Sequence, residues 1–100
     1  MVSVEQALDK AVVRGFEKEW GKIKKKYGVG SKYDLEMWEA YDKGNEQKVR
    51  VMVGDVLDVL NEFAGRLVRA NVSTKYWNNK RKAILAEVRG LIKYYEGMGG

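Results

Sequence analysis

The sequence predicts an all-α fold, a single-domain bundle of three long helices and one short one. Three observations predict it. Apolar residues recur every three or four positions through most of the chain, the period of a helix with one buried face. The 100 residues contain no proline, the residue that most disrupts helix interiors. Glycines and small polar capping residues gather at a few points, and those points divide the chain.

Helix 1 opens at Ser3-Val4-Glu5-Gln6. In this capping box the serine oxygen and the glutamine side chain each take a free amide of the first turn. Val4, Leu8, Val12, Phe16, Trp20, Ile23 and Tyr27 then mark one apolar face over about six turns. Gly28 and Gly30 stop the helix. The lysines between positions 22 and 26 suit the negative end of its dipole.

Asp34 is the expected cap of a short helix 2, with Leu35, Trp38 and Tyr41 on its inner side. Gly44-Asn45 reads as a stop and a new cap, although helix 2 running on into helix 3 is the alternative. Helix 3 is expected from near Gln47 to Asn71. Val49, Met52, Val53, Val56, Leu57, Val59, Leu60, Phe63, Ala64, Leu67 and Val68 cover about half its circumference, as on a central helix. Ser73 or Thr74 opens helix 4, whose core face is Trp77, Ile84, Leu85, Val88, Leu91, Ile92 and Tyr95, and Gly97 ends it. Gly15, Gly54, Gly65 and Gly90 interrupt helix interiors at a cost of about 1 kcal/mol each against alanine. Close helix approach, bending around a partner, or simple drift would each account for them.

Composition narrows the function. With 45% hydrophobic residues the chain is not wholly disordered. No apolar run is long enough to span a bilayer, and the N-terminus lacks the pattern of a secretion signal. The expected location is therefore intracellular: cytoplasmic, nucleoid-associated, or within a virion if the chain is a coat protein. There is no Cys and no His, which removes thiol chemistry and the commonest general base and metal ligand. No phosphate loop, zinc spacing or dinucleotide fingerprint is present. The expectation is a non-enzymatic protein with no cofactor, no metal and no small-molecule substrate. A Lys-rich, Glu-containing, Cys-free composition hints at a hot-environment source, against which five Asn residues count.

Charge points to the partner. The net charge of +5 divides into +4 over residues 1–32, −5 over 33–65 and +6 over 66–100. On helix 1, Lys10, Arg14, Lys18, Lys22 and Lys25 share an arc of roughly 120° with no acid inside it. On helix 4, Lys75, Lys82, Arg89 and Lys93 share about 40°. A one-signed stripe suits a polyanion better than the alternating signs that serve solubility alone. Ala7, Ala11, Gly21, Ala86 and Gly90 lie among these cations and would let a phosphate approach. Lys80, in the Tyr76–Lys82 stretch of aromatics, amides and cations, adds stacking and phosphate-contact chemistry. Side by side, the stripes would grip two strands or two walls of a groove. Facing apart, they would bridge two segments, or one alone would bind.

Nucleic acid, DNA before RNA, is thus the expected partner, contacted at phosphates with little sequence preference. A solvated basic surface is the plainer alternative. Trp38, Tyr41, Tyr76 and Tyr94, with Tyr33, exceed what a small core needs and suggest a homo-oligomer interface. A self-assembling coat protein or nucleoprotein would combine both features. An adaptor docking a protein partner through the acidic face of helix 3 or the short helix is a third reading. Membrane association is not expected, because the apolar face of helix 1 is needed for the core. Arg81 projects into the apolar arc of helix 4 and should need a carboxylate partner, Asp55 or Asp58 among the candidates. Asp55, Asp58 and Glu62 share the outer face of helix 3, which reads as a solvated ion-pair face before it reads as a cation site.

Overall fold

Local chemistry sets each helix end. The computed structural model describes residues 3–99 and bears out the all-α expectation, with α1 (Val4–Tyr27), α2 (Lys32–Asp42), α3 (Glu46–Arg69) and α4 (Lys75–Gly99). The capping box is formed. Ser3 Oγ accepts from the Gln6 amide at 3.1 Å, and Gln6 Oε1 accepts from the Ser3 amide at 3.4 Å. At the other end the Gly28 amide donates to the Lys24 carbonyl at 2.7 Å. A side chain at Gly28 would collide with that carbonyl.

The cap of α2 is Ser31, not Asp34. Ser31 Oγ accepts from the Asp34 amide at 3.2 Å. The buried Asp34 carboxylate turns back instead and accepts from the Gly30 amide at 2.8 Å. Gly44, at φ +74°, separates α2 from α3. Asn45 Oδ1 then caps α3 by accepting from Lys48 N at 3.2 Å. The third helix stops at Arg69, short of Asn71, and the fourth runs through Gly97 to Gly99.

The segment leading into α4 is held from α1. Asp9 is 4% exposed. Its Oδ2 accepts from Ser73 N at 3.1 Å, Thr74 N at 2.7 Å and Thr74 Oγ1 at 2.6 Å. The carboxylate satisfies the amides of the two residues that precede Lys75 and lies near the positive end of the helix dipole. The Thr74 hydroxyl and then its amide hold the Asp9 carboxyl below its usual pKa.

Contacts along the helices give their directions. Thr74 lies beside Asp9, Glu87 beside Lys24, and the Tyr95 hydroxyl donates to the Tyr27 carbonyl. Helices α1 and α4 are therefore parallel. Helix α3 runs antiparallel to both: Phe63 meets Phe16 and Trp20, and Arg81 meets Leu67. Helix α2 carries on in the direction of α1. Tyr33 Oη donates to the Met52 carbonyl at 2.6 Å and Trp38 Nε1 donates to Tyr94 Oη at 2.9 Å. The result is a rod of 58 × 20 × 15 Å.

The core lies along the axis of the rod. Trp20 stacks on Phe63 with centroids 6.0 Å apart, and Phe16 meets that ring edge-on at 5.9 Å. Val13, Met37, Val56, Leu60, Leu67, Val88 and Tyr95 are fully buried around and beyond them. Three residues of the expected α1 core face are outside it. Val4, Leu8 and Val12 are 75%, 62% and 40% exposed. Helix α3 ends at Arg69 and α4 begins beside Asp9, so little protein lies over the first turns of α1. Val13 and Asp9 take the inward positions instead. Leu35, Tyr41 and Val68 are likewise exposed, and Trp38 is marginally so. The interior glycines do not mark close helix approach: Gly15, Gly54 and Gly90 have no neighbouring atoms where a side chain would stand, and Gly65 meets only the flexible Arg69 side chain.

Replacing Asp9 by Ala is expected to lower Tm by fraying the start of α4. The lowered native pKa fixes the sign of the pH effect. The stabilisation is complete above the ordinary value of 3.8 and is lost as pH falls through the lower native value. Thermal melts of both proteins at neutral and acid pH check this; equal Tm at neutral pH would remove Asp9 from the account.

Candidate nucleic-acid interface

The inward positions of α1 are Asp9, Val13, Phe16, Trp20, Ile23 and Tyr27, which are buried or half-buried. Helical geometry then turns Lys10, Lys18, Lys22 and Lys25 outward, and all four are exposed. Successive members of Lys10, Arg14, Lys18 and Lys22 stand about 6 Å apart along the axis. Among the described residues, no carboxylate pairs with Lys10, Lys18, Lys22 or Lys25.

Arg14 differs from its neighbours. Its Nη1 donates to Glu17 Oε2 at 2.9 Å, and its guanidinium lies 5.5 Å from the centre of the Trp77 ring. Glu17 falls just outside the acid-free arc, yet a three-residue step lets it reach in. Arg14 is thus partly neutralised and tied to α4. Lys24 lies on the α4 side, 3.9 Å from Glu87.

On α4, Lys75, Lys82, Arg89 and Lys93 are exposed and unpaired among the described residues. Lys82 and Arg89 border a groove against α3 with Val68, Arg81, Leu85 and Ala86. Lys80 does not belong to this line. It stands one heptad before Glu87, on the flank toward α1, and its ammonium lies 5.5 Å from the centre of the Tyr76 ring.

Arg81 pairs with no carboxylate among the described residues, Asp55 and Asp58 included. Its Nη1 donates to the Leu67 carbonyl at 2.9 Å, while Nε and Nη2 donate to Asn78 Oδ1 at 3.0 and 2.7 Å. The cation closes the last turn of α3, where free carbonyls carry negative partial charge. A backbone acceptor serves in place of a carboxylate, which sequence spacing did not reveal.

The four aromatics expected at a subunit interface divide in two. Tyr41 and Tyr76 are 56% and 60% exposed. Tyr94 is half-buried and already engaged: its hydroxyl donates to Asp34 Oδ1 at 2.9 Å and accepts from Trp38 Nε1. Burial raises the Tyr94 pKa. Trp38 and Tyr94 therefore join α2 to α4 within one chain. Tyr33, bound to the Met52 carbonyl, is also inward, and burial pushes its pKa up to about 12.

The middle of the chain is acidic where it faces solvent. Asp55, Asp58 and Glu62 are exposed on α3. No group of three carboxylates among the described residues is placed to hold a metal ion. Arg66 of the same helix forms a forked pair with Glu19 of α1, its Nη1 donating to Oε2 at 3.0 Å and its Nη2 to Oε1. Hydrogen bonding to Glu19 raises the Arg66 pKa. No helix among the described residues is long and apolar enough to cross a membrane. No protein-family model, curated protein or solved structure matches the chain.

Replacing Arg81 by Met keeps most of its apolar stem but leaves the Leu67 carbonyl with only the longer 3.4 Å bond from the Ala70 amide. Urea denaturation is expected to show a loss of about 1–2 kcal/mol. The loss should be the same at low and high salt, because no carboxylate is involved; a loss that disappears in high salt would reveal an ion pair.

Proposed function

We propose that this chain is a non-enzymatic nucleic-acid-binding protein. It contacts the phosphate backbone through the cations of α1 and α4, with little sequence preference. The observation that carries this reading is the α1 ridge: Lys10, Lys18, Lys22 and Lys25 are exposed and unpaired. A row of unpaired cations along one side of a helix is suited to displace the counterions of a polyanion one after another.

The preferred ligand is a duplex, with DNA the first to test. Single strands are usually held by aromatic platforms on which bases stack. Along α1 the aromatics Phe16, Trp20 and Tyr27 turn inward, which leaves a surface for phosphates and not for bases. Sequence readout would need side chains reaching base edges in a groove, and the ridge offers lysines, which serve phosphates as point charges.

Affinity for duplex DNA should fall steeply with salt. Lys18→Glu with Lys22→Glu is expected to weaken binding and flatten the log–log salt dependence by about 1.8 for two lost phosphate contacts. Adding Lys82→Glu and Arg89→Glu should abolish binding with Tm preserved. Fluorescence anisotropy across a salt series checks both, and undiminished binding by the fourfold variant would refute the reading.

A second reading, self-assembly, is favoured by a separate observation. Val4, Leu8 and Val12 are exposed at one end of the rod, and Leu35 and Tyr41 at the other. Dissimilar apolar ends joined head to tail give rings or open filaments, not two-fold dimers. Nucleic-acid-free protein should then sediment as growing species as its concentration rises, and Leu8→Glu should return it to monomer. A wild-type chain that stays monomeric throughout would eliminate this second reading.

A further inference from the structure

The two cationic ridges look away from each other. The edge of α4 that meets α1 is marked by Glu87, whose carboxylate lies 3.9 Å from Lys24 Nζ. Lys82, Arg89 and Lys93 lie roughly 140°, 160° and 120° around the helix from Glu87. They lean instead toward α3, where Lys82 and Arg89 border the groove with Val68. On α1 the corresponding edge is marked by Lys24. Lys18, Lys22 and Lys25 lie roughly 120°, 160° and 100° around from it. Lys18, Lys22 and Lys25 on α1 and Lys82, Arg89 and Lys93 on α4 therefore turn away from the α1–α4 seam, while Lys10, roughly 40° around from Lys24, and Arg14, over Trp77, stay beside it.

The space between the ridges is not a cleft. The rod is 20 × 15 Å in cross-section, and the seam is filled by the Lys24–Glu87 contact and by Arg14 over Trp77. A duplex laid along Lys18, Lys22 and Lys25 leaves Lys82, Arg89 and Lys93 on the far flank. Those cations would remain unneutralised, at a distance where salt screens most of the attraction. Arg50 and Asn61 are exposed on α3, and Glu96, exposed on α4 roughly 20° around from Arg89, is the acid at the C-terminal end of this flank.

Resting on the nucleic-acid reading above, we propose that one chain bridges two duplex segments. The first lies along α1 at Lys18, Lys22 and Lys25. The second lies along the α3–α4 groove at Lys82, Arg89 and Lys93. Each surface is complete within one chain, so bridging needs no second copy. The partner is the same on both sides, which makes the chain a cross-linker of nucleic acid and not only a coat upon it.

The test uses the full chain, a biotinylated DNA duplex on beads and a fluorescent duplex of the same sequence in solution. Wild type is expected to carry the fluorescent duplex onto the beads. Lys18→Glu with Lys22→Glu, and separately Lys82→Glu with Arg89→Glu, should each still bind duplex by anisotropy yet bring the co-capture down to background. Two results would overturn the bridge while leaving nucleic-acid binding in place. One is wild type that binds duplex but captures none. The other is either double variant capturing as well as wild type, which would assign bridging to self-association. Wild type that binds no duplex at low salt overturns the nucleic-acid reading and the bridge together.

Discussion

The Asp9 carboxylate on Ser73 and Thr74, at the entry to α4, is the interaction on which the rest of this structure depends. It brings together residues 64 and 65 positions apart in the chain. At the opposite end of the same helix pair, the Tyr95 hydroxyl holds the Tyr27 carbonyl. Between these two points neither helix can turn about its axis without breaking a part-buried polar contact, which has a cost wherever the freed group is not rehydrated. Rotational phase is what decides where a lysine points. The clamp that completes α4 therefore also decides which way both lines of cations face.

A second constraint comes from the thinness of the rod. A chain of this size buries a modest share of its surface, and here the share is spread along 58 Å. The middle holds the large aromatics, with Trp20, Phe16 and Phe63 in contact. The far end is held by polar links: Tyr33 to Met52, Asp34 to Gly30, and Tyr94 between Asp34 and Trp38. Side chains that look ready for a partner are thus occupied in keeping α2 attached. Exposed apolar residues at the two extremities, such as Val4, Leu8 and Tyr41, are where a rod has little of its own to cover them.

Helix periods, stops and caps were largely legible in the sequence because they rest on neighbours in the chain. Ser3 with Gln6, Gly28 and Asn45 act on residues within four positions. The exposure of the lysines was legible for the same reason, since a face opposite an apolar stripe must meet solvent. Long-range pairings were not legible. Nothing near Asp9 in sequence says that it belongs inside, and nothing near Arg81 says that a carbonyl fourteen residues earlier will meet its charge. The misplaced face at Val4, Leu8 and Val12 has a related cause. A periodic pattern says which residues share a side of a helix, but not where the neighbouring helices stop. The Arg14–Glu17 pair was within reach of sequence reasoning, given attention to the edge of the arc as well as its interior.

The three indoles stand at different heights along this rod. Trp77 lies near the start of α4 against Arg14, Trp20 is sealed beside Phe63, and Trp38 borders solvent at the far end beside Tyr94 and Tyr41. Indole emission depends on local polarity, so each ring reads a separate zone of the same molecule. Chains retaining one indole at a time would divide the unfolding of this slender body into tip, waist and tail, and would show whether it opens from its extremities or yields all at once.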